Sequence, residues 1–224
     1  MVRQTEGRLS REAVADGALA LADAEGLEAV TIRRLAQELG VTPMALYWHF
    51  KNKDELLTGV AGRVWGKVDT TRDRTLSPLE QFRNLLTSFL EVLRAHRAAV
   101  PLLTTPGQTP PEESFPITEL ALEILDALGF PPDQAAAICI HALRTVTGLV
   151  AGEPGGTDPQ VSAEEAREEM RRKRIVLETL PSDRFPCIIA AAGPLTSCDD
   201  PEIYYDFGVD VFVAGIAALS TAKV

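Results

Sequence analysis

The chain has 224 residues, 46% of them hydrophobic, so a sizeable core can form and a disordered chain is excluded. Its three cysteines (Cys139, Cys187, Cys198) include no Cys-x-x-Cys pair, which argues against a zinc ribbon or a disulfide scaffold and fits a reducing cytoplasm. The formal net charge of −10 argues at first against a nucleic-acid partner, but the distribution matters more than the sum. Residues 1–74 hold 11 Lys and Arg against 11 Asp and Glu, whereas residues 75–224 hold 11 against 21. A neutral head on an acidic body can still bind phosphate locally. The opening stretch MVRQTEGRLSRE has no apolar run of the signal-peptide kind. No uncharged apolar run reaches the roughly 18 residues of a membrane span, so no membrane partner is expected.

In chain order, Ser10 is a good N-cap, and Val14, Ala18, Leu21 and Ala22 recur at helical spacing until Gly26. Thr31 caps a short helix over 32–39, and Gly40 suits the left-handed position that ends it. Thr42 then caps a helix over 43–50, with Pro43 in its first turn. Two short helices joined by Gly40-Val41-Thr42 make a helix-turn-helix. Asn52 caps a fourth helix running through Leu56, Val60, Val64 and Trp65. After a break at 69–77, a long helix over 78–99 carries the apolar stripe Leu79, Phe82, Leu86, Phe89, Leu90 and Leu93. Residues 104–116 read as loop, followed by helices over 117–128 and 132–152 and a Gly/Pro connector over 153–162. A charged helix over 164–180, a short apolar one near 186–192 and an apolar one over 202–222 complete the chain. No strand pattern and no repeat occur, so the expected fold class is all-α. The expected division is a helix-turn-helix domain over 1–52, a linking helix over 53–69 and a larger helical domain over 70–224.

The segment 10–57, with TIRRLAQELGV at 31–41 and ALYWHFKNKDELL at 45–57, resembles the DNA-binding domain of the tetracycline-repressor (TetR) family. The rest of the chain is similar, more loosely, to the C-terminal domain of the tetracycline-binding branch. The resemblance implies a cytoplasmic homodimeric repressor that leaves double-stranded DNA when a small-molecule effector binds. Where tetracycline-binding members place metal-side histidines, this chain has Pro101 and Arg144. Where they place ring-gripping polar residues it has Asp69 and Leu85, and only Phe89 keeps its type. A tetracycline–magnesium effector is therefore not expected, nor is a metal or a cofactor.

The chemistry agrees with a DNA-reading head. A recognition helix presents its N-terminal residues to base edges in the major groove. The candidate DNA-binding residues are Thr31, Arg33, Thr42, Pro43, Met44, Ala45, Tyr47, Trp48, His49 and Lys53. Arg33 is the candidate for a bidentate contact to guanine, and Pro43, Met44 and Ala45 for thymine methyls. Tyr47, His49 and Lys53 can donate to phosphate. Tyr47 and Trp48 could instead be core aromatics, and His49 an exposed polar residue. Leu46 and Phe50 are expected to point inward. Arg34 and the run Arg171–Arg174 read as solvated or ion-paired charges.

The helices over 132–152 and 202–222 are too apolar for surface helices of a monomer. A four-helix bundle across a two-fold axis accounts for them; a central place in one subunit's core is the alternative. The candidate effector site is Phe82, Leu86, Phe89, Leu102, Phe115 and Leu120, with His141, Arg144 and Thr145 at its polar end. Arg144 has two candidate partners, the effector or Asp206 and Asp210 on the last helix. No nucleophile–base pair or phosphate loop supports an enzyme or a small-molecule carrier, and a ligand-independent DNA-binding dimer is the other reading to weigh.

Overall fold

The computed structural model of the protein describes residues 9–105, 109–155, 161–198 and 200–221. Parts of the expected connectors at 104–116 and 153–162, and the expected helix end at residue 222, lie outside them. Among the described residues there are twelve α-helices and no strand, in keeping with the all-α expectation.

Four helices build the head: α1 (Arg11–Glu25), α2 (Ile32–Glu38), α3 (Pro43–Tyr47) and α4 (Lys53–Trp65). Each starts at a side chain that accepts from a free backbone N–H. Ser10 takes that of Ala13, Thr31 that of Arg34, Thr42 that of Ala45 and Asn52 that of Glu55. Gly40 has φ +66°, which a residue with a Cβ adopts only under strain. Val14, Ala18, Leu35, Leu46, Phe50, Leu56 and Val60 have no more than 1% exposure and form the head's core, so Leu46 and Phe50 do point inward.

In the larger part, α5 (Pro78–Ala95) starts with a capping box between Ser77 and Glu80. It ends four residues earlier than the periodicity suggests. His96 leaves helical geometry (φ −128°, ψ 50°), and a 3-10 turn at Arg97–Ala99 leads into α6 (Val100–Leu103). The buried stripe Phe82, Leu86, Phe89, Leu90 and Leu93 makes α5 central, packed by α7 (Phe115–Ala127), α8 (Pro132–Ala151) and α12 (Pro201–Thr221). Helix α7 begins two residues before the expected start, with Pro116 in its first turn. The connector between α8 and α12 forms α9 (Ala163–Glu178), α10 (Pro186–Ala190) and α11 (Ala192–Thr196), packed mainly on one another. On α9, Glu168 pairs with Arg171 and Arg172, Glu169 with Lys173 and Glu178 with Arg174, the ion-laced face read from the sequence.

Helices α8 and α12 are long and apolar enough, by length and composition, to cross a membrane. Each lays one face on the core: Ala135, Ala142, Val146 and Val150 from α8, and Tyr205, Val209, Val213 and Ile216 from α12. The opposite faces are exposed within one chain. They carry Ala137, Ile140, His141, Arg144 and Gly148 on α8, and Ile203, Phe207, Val211, Ala214 and Ala218 on α12.

Candidate nucleic-acid interface and internal cavity

The outer face of α3 is unusually apolar for a surface. Trp48 is 85% exposed, Met44 67% and Tyr47 49%, and Thr42 and Pro43 stand exposed beside them. A core role for Trp48 is thereby excluded, and the reason is geometric. With α3 held through Leu46 and Phe50, residues 47 and 48 must point the other way. Ala45 and His49 are half-buried, and Thr31, Arg33 and Lys53 are exposed. The two adjacent arginines separate cleanly. Arg34 is clamped by Glu25 at 2.5 Å and Glu38 at 2.8 Å, whereas Arg33 has no ion pair or hydrogen bond among the described residues.

A second feature lies inside the larger part. An apolar cavity of about 60 Å³ is bounded by Trp65 of α4, by Phe82, Leu85, Leu86 and Phe89 of α5, by Ile117, Thr118 and Ala121 of α7, and by Cys139, Ala142 and Leu143 of α8. The Trp65 and Phe89 rings stack with centroids 4.7 Å apart and 19° between planes. Among the described residues, no ionised side chain lines this wall. The Thr118 hydroxyl donates to the Ser114 carbonyl at 2.8 Å, and burial pushes the Cys139 thiol up to about 11.

Of the residues singled out from the sequence, Phe82, Leu86 and Phe89 line this cavity. Leu120 lines a separate, more polar cleft with Asp69, Arg72, Gln81, Asn84 and Ser88. Leu102 is half-buried on α6, and Phe115 is 56% exposed because α7 starts at that residue. Thr145 is half-buried, and neither it nor the exposed His141 and Arg144 reaches the cavity. Helix α8 turns the side bearing Cys139, Ala142 and Leu143 inward, which carries His141, Arg144 and Gly148 to the outside. The carboxylates considered for Arg144 are engaged elsewhere. Asp206 lies 3.8 Å from Arg83 of α5, and Asp210 pairs with the same guanidinium. Trp65, Leu85, Ile117, Thr118, Ala121, Cys139, Ala142 and Leu143 were not anticipated as lining residues.

A polar elbow joins the two parts where α5 ends. The His96 ring nitrogen Nδ1 meets an Asp23 carboxylate oxygen of α1 at 2.7 Å, and the other Asp23 oxygen is buried without a partner among the described residues. One residue on, Arg97 pairs with Glu153 at 2.5 Å and donates to the Tyr205 hydroxyl at 3.0 Å. Arg94 pairs with Glu202 at 2.6 Å, and its guanidinium lies 4.4 Å from the Tyr205 ring centre. Residues 94–97 thus touch α1 on one side, and α12 and the segment just after α8 on the other.

A helix-turn-helix head on a helical body with an internal apolar cavity defines a ligand-responsive transcription regulator. Residues 14–60 match the model of bacterial regulatory proteins of the tetR family, and residues 77–220 match that of the tetracyclin repressor-like C-terminal domain. The chain belongs to the TetR family, whose members bind DNA and small-molecule ligands. It is 29% identical to the class E tetracycline repressor protein of Escherichia coli over 215 residues, 94% of this chain and 92% of that one. Its fold is similar to that of apo ActR from Streptomyces coelicolor, with a TM-score of 0.79 and 26% identity over 98% of this chain and 100% of that chain. ActR in complex with actinorhodin matches with a TM-score of 0.77 and 26% identity over 96% of this chain and 99% of that one.

The cavity wall can be checked chemically. With its thiol at about 11, Cys139 is on the order of 0.1% thiolate at pH 8. Iodoacetamide at pH 8 is expected to label exposed Cys187 while sparing Cys139, whose labelling should rise about tenfold per pH unit towards pH 10. Equal labelling at pH 8, followed by peptide mass spectrometry, would place Cys139 in water.

Proposed function

We propose that the protein is a homodimeric repressor of the cytoplasm, released from a palindromic operator by a flat, uncharged, largely apolar effector. One observation carries the reading: Trp65 belongs to the cavity wall and also ends α4, the helix that begins at Lys53 beside the DNA-facing residues. The cavity, about 60 Å³, is well below the roughly 300 Å³ of a typical small-molecule site. A guest must therefore push the walls apart, and Trp65 is one of them. A wall of stacked rings and aliphatic side chains favours a planar guest and penalises a charged one. Pro101 and Arg144, at the positions of the metal-side histidines, weigh against a metal–tetracycline chelate, and the Arg144 side chain is exposed on the far side of α8.

For the dimer, the support is the pair of exposed faces on α8 and α12, rich in apolar and small residues but carrying His141 and Arg144 on α8. Their small residues Gly148, Ala214, Gly215 and Ala218 let two such helix pairs approach closely as a four-helix bundle. Arg144 and His141 then fall at that interface rather than on the effector. For operator reading, Arg33 is assigned to guanine, Pro43, Met44 and Ala45 to thymine methyls, and Tyr47, His49 and Lys53 to phosphate, with Thr31, Thr42 and Trp48 at the margins.

The test starts from an operator selected by the protein from a random duplex library. In a Trp48→Phe background, neutral polycyclic aromatic compounds are screened for quenching of Trp65 fluorescence and for release of that duplex. Ala121→Val, which occupies the cavity with two further methyl groups without parting its walls, should keep operator affinity and abolish release. Continued release by the same compound would put the effector elsewhere. Arg33→Ala should cost about 1–3 kcal/mol and relax one position per half-site, whereas Lys53→Ala should weaken all duplexes alike and lower the salt slope by about one. Both are read by binding titrations at several salt concentrations. Phe207→Glu should give monomers in sedimentation and lose the palindromic site; a Phe207→Glu protein that stays dimeric would rule out this face.

A further inference from the structure

Helix α3 has only five residues, Pro43–Tyr47, too short to hold its own shape or position. Two buried side chains, Leu46 and Phe50, anchor its region to the head. Two anchors define a line, and a short element held along one line can still rock about it. A third point off that line is needed to fix where Pro43, Met44 and the other outward residues stand.

Arg11, the first residue of α1, supplies that point. Its Nη1 donates to the His49 carbonyl at 2.7 Å, satisfying one of the acceptors left free just beyond α3. The same nitrogen donates to Glu55 Oε1 at 2.8 Å, and the guanidinium lies 4.3 Å from the centre of the Phe50 ring. The other Glu55 oxygen accepts the Lys51 N–H at 2.8 Å. One arginine and one carboxylate thus close both sides of the turn between α3 and α4. The Lys51 N–H and then Arg11 hold Glu55 below the usual carboxylate range, so the carboxylate is ionised at neutral pH. Its charge offsets that of Arg11, leaving the pair little net attraction for phosphate.

Resting on the reading of α3 as the recognition helix, we infer that Arg11 is a positioning residue for operator recognition: it sets the tilt of α3 through the His49 carbonyl, so that sequence selectivity, rather than overall attraction to DNA, depends on it. Base readout tolerates placement errors of only about half an ångström, so a rocking α3 loses selectivity before it loses binding. Phosphate contacts from flexible side chains tolerate such errors.

The experiment compares the duplex selected by the wild-type protein with a scrambled duplex of equal length and composition. Arg11→Met keeps the apolar stem over Phe50 and removes the donors. Combined with Glu55→Gln, which removes the carboxylate charge that Arg11 offsets, it should lower affinity for the selected duplex about tenfold and for the scrambled duplex less than twofold, with the salt slope unchanged. Arg11→Lys, which can reach one acceptor, should recover part of the ratio. Glu55→Gln should reduce the ratio in the same direction, and these two variants carry the test if Arg11→Met does not fold. A parallel loss on both duplexes with the slope falling by about one would make Arg11 a phosphate contact and overturn the inference. An unchanged ratio would overturn it too. A wild-type protein that selects no sequence would instead bring down the recognition-helix reading and the inference with it.

Discussion

Helix α4 belongs to both halves of the molecule, and its burial on two sides is the constraint on which the others depend. Leu56 and Val60 are fully buried among the side chains of the head. One to two turns further on, Val64 is buried and Trp65 stacks on Phe89 of α5. A continuous 13-residue helix is about 20 Å long and far stiffer than a loop. Displacement of the ring at one end must therefore be taken up as tilt of the head at the other. The Arg63–Asp16 pair, 2.7 Å, ties the same helix to α1, so α1 and α4 move as one body. Desolvation works against the charge on Arg63, but the Asp16 hydrogen bond outweighs it.

The elbow at 94–97 gives the head a second attachment, and this one avoids the cavity. His96 reaches Asp23 of α1, while Arg94 and Arg97 reach Glu202, Tyr205 and Glu153 around the helices whose outer faces are bare. Glu153 is only 9% exposed, so its pairing with Arg97 is partly desolvated and costly to break. Two attachments of different chemistry follow: an aromatic one at the cavity wall, and a hydrogen-bonded one through His96 that ties the head to the end of α5. A head held by the first alone would swing freely once the cavity filled. A head held by the second alone would not respond to the cavity.

The capping residues made most of this architecture legible before the structure was known. Ser10, Thr31, Thr42 and Asn52 each mark a helix start to within a residue, because an unsatisfied N–H needs a side-chain acceptor wherever the chain turns into a helix. The end of α5 was not legible. No glycine or proline stands at His96, and the break arises from the tertiary pull of Asp23 and of the 3-10 turn that follows. For the cavity, three of nine candidates sit in the wall, all on α5, whose single apolar stripe leaves no choice of face. Helix α8 has two apolar faces. Spacing alone puts His141 and Arg144 on one side of the helix but cannot say which side α5 and α7 cover. The uninterrupted set Ala135, Cys139, Ala142, Val146 and Val150 was the available signal for the inward side.

Why α4 keeps glycines in its interior follows from the same double burial. Gly59 and Gly62 each weaken an isolated helix by about 1 kcal/mol relative to alanine. A Cβ at 59 would stand 2.7 Å from the Phe50 ring, and a Cβ at 62 would stand 2.6 Å from the Glu113 carboxylate on the 3-10 turn before α7. The first close approach seats the ring that anchors α3, and the second seats the segment that leads into the cavity wall. Intrinsic helix stability is thus exchanged for contact on two faces. The stiffness α4 needs comes from neighbours that hold it, not from its own propensity. A helix made rigid by its surroundings changes position when those surroundings change, which is the property required of an element standing between an apolar cavity and a DNA-facing head.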